Sequence, residues 1–248
     1  MDSGFYVAYA GLSARMQALD IVASNLANSS TVGFKAQNPF YRALAAAQQG
    51  EVLSPLNQAV NQFGILGGSS VDLHSGSINP TGNNTDMAIE GDGFFSVQTG
   101  AGTRYTRNGS FHLNVARQIV TQDGDLVLAE QGKANVPIAL PSGTVSVSPD
   151  GTISVNGGLV AKLRVVQFAP GTGILPEGNS KFIAPAASEL PAAGASVRQG
   201  ALESSNMNPV QGAVGLILMQ RQADLLGRAL SILNGDFNRA AAQDVPHV

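Results

Sequence analysis

Apolar residues recur with a helical period near both ends of the 248-residue chain. Near the N-terminus they alternate in steps of four and three residues, which is the spacing of a heptad seam. A second seam lies near the C-terminus, after Pro209, a residue that can occupy the first turn of a helix. Asn206 and Asn208 are candidate caps of that second helix. The first seam comprises Phe5, Tyr9, Leu12, Met16, Leu19, Ala23 and Leu26, and the second comprises Leu216, Met219, Ala223, Leu226, Leu230, Leu233 and Phe237.

The two predicted helices have seams of equal length, about 32 Å each at 1.5 Å per residue. Neither helix can bury its apolar stripe alone, so each needs the other helix, other copies of the chain, or both. A helical hairpin that closes one ordinary globular domain is the alternative. Gly11 weakens the first helix by about 1 kcal/mol relative to alanine. The cap and turn formers from Asn28 to Gly33 are expected to end it.

Short predicted strands fill the middle of the chain. Asn108-Gly109, Asp123-Gly124 and Asp150-Gly151 are turn dipeptides between them, as hairpins require. Such spacing favours an antiparallel sandwich or barrel-like sheet. The strands do not alternate with helices, which argues against a dinucleotide-binding fold. The predicted strands lie within 87–97, 103–107, 110–113, 118–121, 126–128, 144–147, 152–155 and 163–168.

The predicted fold is therefore α+β, with terminal helices paired as a coiled-coil-like unit and an antiparallel β-rich domain inserted between them. Residues 1–36 form the N-terminal helical segment and residues 37–75 an extended connector, in which Ala43–Gln49 is a candidate helix. Residues 76–199 form the β-rich domain and residues 200–248 the C-terminal helical segment. The proline-containing zone 170–194 is expected to be irregular.

Composition removes several classes of function. Charged residues make up 12% of the chain, against about 25% in ordinary domains. The net charge is −3 without a basic cluster, which argues against binding to a nucleic-acid backbone. The absence of cysteine excludes disulfides, thiolate zinc sites and cysteine nucleophiles. We expect no cleaved signal peptide and no membrane insertion, since no apolar run reaches membrane-spanning length.

No catalytic residue, metal ligand or cofactor site is predicted. His74, His112 and His247 lack partners at metal-ligand spacing. Asp123 and Asp125 could suggest calcium, but the rest of an EF-hand loop is missing and a plain turn is favoured. Glu90 and Asp92 are the one carboxylate pair that a glycan-active enzyme could use. Such an enzyme, or a solitary binding module, is the alternative from another class of function.

Four segments of the chain form a set of motifs: residues 26–36, 86–95, 105–111 with Val120, Thr121 and Gly124 following, and 200–209 with Gln220 and Arg221 following. Together these segments resemble the bacterial flagellar rod and hook proteins. They occur in order over nearly the whole chain. One departure is 114–117, which lacks the glycine expected before Gln118, so a longer turn is expected there. The residues that match the family motifs are Asn25, Asn28, Thr31, Gly33, Phe34, Lys35, Gly91, Gly93, Phe94, Phe95, Tyr105, Thr106, Arg107, Gly109, Glu203 and Asn206.

This resemblance implies a structural subunit without enzymatic activity. The terminal helices would line the inner tube of the flagellar axial structure through the two seams, with the β-rich domain outside. The polymer would transmit torque from motor to hook. The short connector and residues 205–209 favour the proximal rod, and the distal rod is the alternative.

The resemblance also implies partners and a location. The partners would be other copies, other rod and hook proteins, the flagellar type III export apparatus and the ring bushing around the rod. The chain would be exported unfolded, without a cleaved signal, to the periplasmic part of the basal body. Neither a cofactor nor nucleic acid is implied.

Overall fold

Two helices bracket a β-rich region, which confirms the predicted α+β class. The computed structural model describes residues 2–42, 65–131, 134–169 and 171–243. The helices are α1 (Asp2–Ala27) and α2 (Pro209–Gln243), and a short 3-10 helix spans Ala186–Ser188. The strands are β1 (Gln37–Arg42), β2 (Ile65–Val71), β3 (Ile78–Pro80), β4 (Met87–Glu90), β5 (Phe94–Thr99), β6 (Gly102–Thr106), β7 (His112–Leu113), β8 (Ile119–Val120), β9 (Leu126–Gln131), β10 (Ala134–Pro137), β11 (Val145–Val147), β12 (Thr152–Val155), β13 (Gly158–Lys162), β14 (Val165–Phe168), β15 (Leu175–Gly178), β16 (Lys181–Ile183), β17 (Glu189–Pro191), β18 (Ser196–Gln199) and β19 (Ala201–Glu203).

The chain divides into two compact units. The helical unit contains α1 up to Leu26, β1, β2 up to Ser69, and α2. The β unit contains residues 27–36 and the described residues between 70 and 208. The observed boundaries differ from the predicted ones, because the segment after α1 and the segment before α2 both belong to the β unit.

Local chemistry explains where the helices end. After α1, the Thr31 N–H donates to the Asn28 carbonyl at 3.1 Å, and Gly33 adopts a left-handed φ of +66°. Pro209 begins α2, where the missing N–H of proline costs no helical hydrogen bond. Asn208 thus precedes the first helical residue, as a cap does, whereas the Asn206 side chain is used elsewhere.

A ten-stranded sheet dominates the β unit, with a main path of β15-β16-β6-β5-β9-β8-β7. In addition β14 pairs with β5 and β17, and β10 pairs with β9. Smaller sheets are β11-β12-β13, β4-β18 and β3-β19. The described strand pairs of the β unit are antiparallel, as predicted; Phe95 of β5, for example, lies opposite Thr106 of β6.

Strand β5 is buried on both faces, because each face meets a separate hydrophobic core. Phe95 and Val97 lie in the main core, which also takes side chains from β4, β9, β12 and β18. Phe94 belongs to a second core with Tyr105, Val166, Ile174 and Phe182. Because both faces of such a strand are buried, its sequence is a continuous apolar run rather than an alternation of apolar and polar residues.

The zone 170–194 is more regular than expected, since β15, β16 and β17 lie within it. Pro176 lies in β15 at the edge of the sheet, and Pro191 lies in β17, which pairs only with β14 among the described strands. Edge positions tolerate proline because no ladder hydrogen bond is lost there. Asn179 and Ser180 turn the chain between β15 and β16 with φ values of +50° and +55°, without a glycine at either position.

The predicted extended connector 37–75 contains paired strands, since β1 and β2 form a two-stranded sheet. The candidate helix Ala43–Gln49 lies outside the described residues. The strand predicted over 163–168 begins at Val165, and β13 precedes it as a separate strand.

Candidate functional site

The chain segments next to the two helices are bound to each other inside the β unit. The Gly33 N–H donates to the Glu203 carbonyl at 2.8 Å. The Ala36 N–H donates to Asn206 Oδ1 at 2.8 Å, and the Asn206 N–H donates to the Phe34 carbonyl at 3.3 Å. The chain therefore enters and leaves the β unit at neighbouring points. We call Gly33, Lys35, Arg107, Glu203 and Asn206 the junction cluster.

Glu203 is the charged centre of the junction cluster. Lys35 Nζ donates to Glu203 Oε1 at 2.7 Å, and Arg107 Nη1 donates to Oε2 at 3.1 Å. The Lys35 and Glu203 side chains are 0% exposed and that of Arg107 is 2% exposed. An ion removed from water costs several kcal/mol unless it is paired and hydrogen-bonded. These three charges are therefore stable in the interior only as a set.

Backbone groups satisfy most of the remaining polar atoms of the cluster. Burial lowers the pKa of Lys35, and the hydrogen bond and charge of Glu203 oppose that effect. Lys35 Nζ also donates to the His74 carbonyl at 2.6 Å. Arg107 donates to the carbonyls of Ile89 and Gly91 at 3.3 and 2.7 Å. Two cations around one carboxylate leave an excess positive charge, and these carbonyl dipoles face it.

Close backbone packing requires glycine at two of the motif positions. A Cβ on Gly33 would overlap the backbone of Arg107 and Asn108, and the φ of +66° is itself unfavourable for other residues. A Cβ on Gly109 would overlap the Met87 carbonyl. The turn after α1 is thus seated directly on the strand end that carries Arg107.

The aromatic motif residues pack close to this cluster. Phe94 lies beneath the Arg107 guanidinium, whose carbon is 5.3 Å from the ring centroid. Phe95 meets Phe111 edge-on in the main core, with ring centroids 5.1 Å apart. Tyr105 donates its hydroxyl to Glu189, and burial together with this hydrogen bond raises the Tyr105 pKa.

The other motif residues lie at turns and contacts around the same region, with one exception. Thr106 Oγ1 donates to the Ser180 carbonyl at 2.8 Å, and Thr31 Oγ1 donates to Asn28 Oδ1 at 3.1 Å. A Cβ on Gly93 would meet Val165 Cγ1 at 2.8 Å. Asn25 is the exception, because it lies in the helical unit and its amide bonds both the N–H and the carbonyl of Gln37, at 2.9 and 2.8 Å.

Helix α1 buries a face different from the predicted seam. Gly11, Ala14, Ala18 and Asn25 are its buried residues among those described. Residues two apart on a helix point in nearly opposite directions, about 200° apart. The predicted seam therefore lies on the opposite side, where Tyr9 is 55% and Met16 is 51% exposed. Leu12, Leu19, Ala23 and Leu26 are half-buried, and the Phe5 side chain lies outside the described ones.

Helix α2 buries its predicted seam and presents a second apolar stripe. Ala223 and Leu230 are buried, and Leu216, Met219 and Leu226 are half-buried; the side chains of Leu233 and Phe237 lie outside the described ones. Val22 of α1 lies beside Gly215 of α2, where an added Cβ would meet Val22 Cγ1 at 3.9 Å. The second stripe was not predicted, and it consists of the exposed residues Val210, Val214, Ile217, Leu218, Leu225 and Ile232.

The acidic residues that the sequence offered as calcium or catalytic candidates do not form a shared site: they pair with nearby cations or lie in different places. Lys181 Nζ lies 3.0 Å from Asp123 Oδ2 and 2.5 Å from Asp125 Oδ2, so an ammonium group faces both carboxylates. Glu90 Oε1 accepts from Arg198 Nη1 at 3.3 Å. Asp92 lines a cleft of about 450 Å³ that Glu90 does not line. Within the described residues, no group of three or more His, Asp or Glu side chains could hold a metal ion.

Neither described helix combines the length and the apolarity that crossing a bilayer requires.

Helices that expose apolar stripes are typical of proteins that assemble with other chains. Comparison with known proteins gives the class. A family model described as "Flagella basal body rod protein" matches residues 5–35, and one described as "Flagellar hook protein FlgE/F/G D1 domain" matches residues 88–155.

Curated relatives match along most of the chain. The flagellar basal-body rod protein FlgF of Mesorhizobium japonicum is 33% identical over 89% of both chains. FlgF of Caulobacter vibrioides is 33% identical over 93% of both chains. The rod protein FlgG of Bacillus subtilis is 29% identical over 89% of this chain and 91% of its own. The chain belongs to the family of flagellar basal-body rod proteins and is a structural subunit of that rod.

Proposed function

We propose that this chain builds the wall of the proximal rod through its two terminal helices, with the β unit on the outside of the tube. The helices would pair through the α2 seam and the small-residue face of α1. Neighbouring copies would then cover the outward apolar faces. In this arrangement the polymer transmits torque from the motor to the hook.

The exposed stripe of α2 is the observation that carries this proposal. Val214, Leu218, Leu225 and Ile232 recur at heptad spacing on the side opposite the α2 seam, and each is more than half exposed. A helix with two apolar stripes packs against two neighbours, whereas a surface helix of a monomer has one. Tyr9 and Met16 give α1 a comparable outward face.

The distal rod is the second candidate position. FlgG of Bacillus subtilis, at 29% identity, is only slightly less similar than the FlgF relatives at 33%. The higher identity to FlgF supports the proximal rod. We also infer export through the type III apparatus without a cleaved signal, a periplasmic position in the rod, and contacts with other axial proteins and the ring bushing. These inferences rest on family membership.

The glycan-active alternative receives no support from the carboxylates. Inverting and retaining hydrolases both require two carboxylates across one cleft, separated by about 5 to 10 Å. Glu90 pairs with Arg198 on the β4-β18 sheet, and only Asp92 of the predicted pair lines the cleft.

A charge on the outward stripe of α2 tests the proposal. Leu225 is 67% exposed, so Leu225→Glu should change the free energy of unfolding by less than about 0.5 kcal/mol. Its burial between subunits would make the same change costly, by about 2 kcal/mol or more for the lost leucine contact alone. We expect at least about tenfold less chain in purified basal bodies, and loss of swimming, in cells that carry only the variant.

Gln220→Glu is the matched control, because it adds the same charge to the exposed surface of α2 outside the apolar stripe. It should be incorporated close to the wild-type level. Incorporation of Leu225→Glu at that same level would contradict the proposal that this face is covered in the rod.

A further inference from the structure

Among the described residues of the β unit, one cation has no carboxylate partner, and it lies at the tip of a hairpin. Arg117 lies between β7 and β8 and donates to the carbonyls of Leu140 and Pro141 at 2.9 and 2.7 Å. Every other described Lys and Arg of the β unit forms an ion pair with an acidic side chain. The Arg117 charge is therefore positioned by the backbone and is uncompensated within the described chain.

Beside this cation is a fully protruding apolar side chain. Val115 at the same hairpin tip is 106% exposed, the highest value among the exposed large hydrophobic residues. Arg117 itself adopts a φ of +58°, which lets the turn close without a glycine. The tip therefore presents an apolar knob next to a positive charge on a hydrogen-bonded turn.

One carboxylate of the β unit has no partner within the described part of the chain, and it lies at the mouth of a cleft. Asp92 is exposed and forms no hydrogen bond or ion pair with the described residues through its side chain. Every other described Asp and Glu of the β unit has such a partner. The cleft has a volume of about 450 Å³, and its apolar lining includes Leu73, Phe94, Phe168, Ile174 and Leu190.

The knob and the cleft lie at different places on the sheet. The β7-β8 hairpin is at one end of the ten-stranded path, whereas the cleft borders β14 and β17, which branch from β5 in the middle of that path, and the loop that leads to β15. A contact between two different surfaces of the same chain is heterologous and continues from copy to copy, which produces rings or helical polymers. A rod needs this kind of contact.

We propose that Val115 of one copy inserts into the cleft of the next copy, where Arg117 pairs with Asp92. This contact joins β units head to tail and is separate from the helix contacts. It rests on the proposed rod function, since it needs neighbouring copies. Leu159 is also 81% exposed, but the nearby Lys162 already pairs with Glu130 at 2.9 Å, so that strand offers no free charge to match Asp92.

Cysteine cross-linking tests the contact directly, because the chain has no cysteine of its own. We would introduce Val115→Cys and Leu190→Cys together, purify basal bodies and oxidise them with copper-phenanthroline. The double variant should give a ladder of dimers and higher oligomers, since each copy carries both partners. Each single variant should stay monomeric.

The pair Leu159→Cys and Leu190→Cys is the matched control and should give no ladder. A ladder of equal intensity from this pair would overturn the proposal. The proposal would also be overturned if the Val115→Cys/Leu190→Cys chain stayed monomeric in basal bodies that contain it at the wild-type level. Cross-linking of this chain to a different protein would overturn it as well. Absence of the chain from wild-type basal bodies would instead contradict the rod function itself.

Charge reversal adds a readout that a purely apolar contact would not give. In the double-cysteine chain, Asp92→Arg alone and Arg117→Glu alone should each lower the cross-linking yield about two- to fivefold, the size expected for an exposed ion pair. The two reversals together should restore the yield. Failure of this rescue while both single changes reduce the yield would overturn the pairing of Arg117 with Asp92.

Discussion

Glu203 determines whether the buried cations of the junction cluster are compensated. Replacement by glutamine would leave Lys35 and Arg107 buried without a counter-charge. Removal of one partner from a buried pair costs about 3 to 5 kcal/mol. We expect Glu203→Gln to lower the free energy of unfolding of the β unit by that amount, measured by urea denaturation followed by tyrosine fluorescence.

Glu90→Gln is the comparison, since Glu90 forms an exposed ion pair with Arg198 across β4 and β18. Exposed pairs contribute about 0 to 1 kcal/mol. Equal destabilisation by the two substitutions would mean that the junction cluster contributes no more than a surface pair.

A comparison of Gly33→Ala with Gly82→Ala separates the free-energy cost of an unfavourable backbone conformation from the cost of a steric clash. Both have a left-handed φ, of +66° and +74°, but only Gly33 faces a neighbouring backbone, whereas nothing lies within 4 Å of a Cβ on Gly82. Alanine at either position should cost about 1 to 2 kcal/mol through φ alone. We expect Gly33→Ala to lower the unfolding free energy by at least about 2 kcal/mol more than Gly82→Ala. Equal losses would show that the turn after α1 can move away from Arg107.

At the scale of single residues, the sequence showed the motif positions but not which of them contact each other in the fold. The motifs around Lys35, Arg107 and Glu203 were visible as separate segments. Lys35 and Glu203 are 168 residues apart, and periodicity describes only neighbours along the chain. A Lys and an Arg within apolar motifs of a chain that is 12% charged were the available signal for burial.

The two helices show what periodicity can and cannot identify. Both were predicted with nearly their observed ends, because cap and turn residues follow α1 and Pro209 begins α2. A heptad seam states that one face is apolar, but it does not state which partner covers that face. On α1 the small residues Gly11, Ala14 and Ala18 are buried instead, since their size permits close approach of another backbone.

The small face of α1 gives a prediction at this scale. Ala18 is 0% exposed, so Ala18→Leu would place three extra carbons in a filled interface. Overpacking of this kind costs about 1 to 3 kcal/mol. The melting temperature of the helical signal at 222 nm should fall, whereas Gln17→Leu, at the exposed neighbouring position, should leave it nearly unchanged. An unchanged melting temperature for Ala18→Leu would mean that the space beside Ala18 can expand.

Strands were predicted on both sides of the Arg117 turn as well as beside glycine turns, whereas β15 and β16 were missed. Asp123-Gly124 and Asp150-Gly151 marked hairpin turns correctly. Asn108-Gly109 was wrong as a hairpin turn, because β6 pairs with β5 and β16 whereas β7 pairs with β8. The turn at Arg117 uses a left-handed residue with a side chain, which a glycine pattern does not detect. The turn at Asn179 and Ser180 follows Gly178, which also has a positive φ, so Gly178-Asn179 was a turn signal that the sequence interpretation did not use. Asparagine tolerates this conformation best among non-glycine residues, so Asn179 was the weak local signal.

At the scale of the whole molecule, the junction cluster sets the boundary of the β unit. Residues 27–36 precede β1 but belong to the β unit through Gly33 and Lys35. The sequence placed this segment with the helix, because helix and motif are continuous along the chain. Contacts with residues 203–206, not chain continuity, decide where it belongs.

This boundary predicts the behaviour of two fragments. A fragment of residues 27–208 retains the whole junction cluster and should unfold cooperatively in urea. A fragment of residues 37–208 lacks Gly33 and Lys35, and it should be less stable by several kcal/mol because Glu203 loses one of its two cationic partners and Asn206 loses the Ala36 N–H. Equal unfolding midpoints would show that residues 27–36 are not part of the folded unit.

The central claim concerns the place of the helices in the assembled rod. Cryo-electron microscopy of basal bodies, at a resolution that distinguishes side chains, tests it most directly. We predict that α1 and α2 lie in the wall of the axial tube, with Leu218 and Leu225 covered by a neighbouring subunit and the β unit outside. Helices of this chain with that stripe facing solvent, or β units lining the tube, would contradict it.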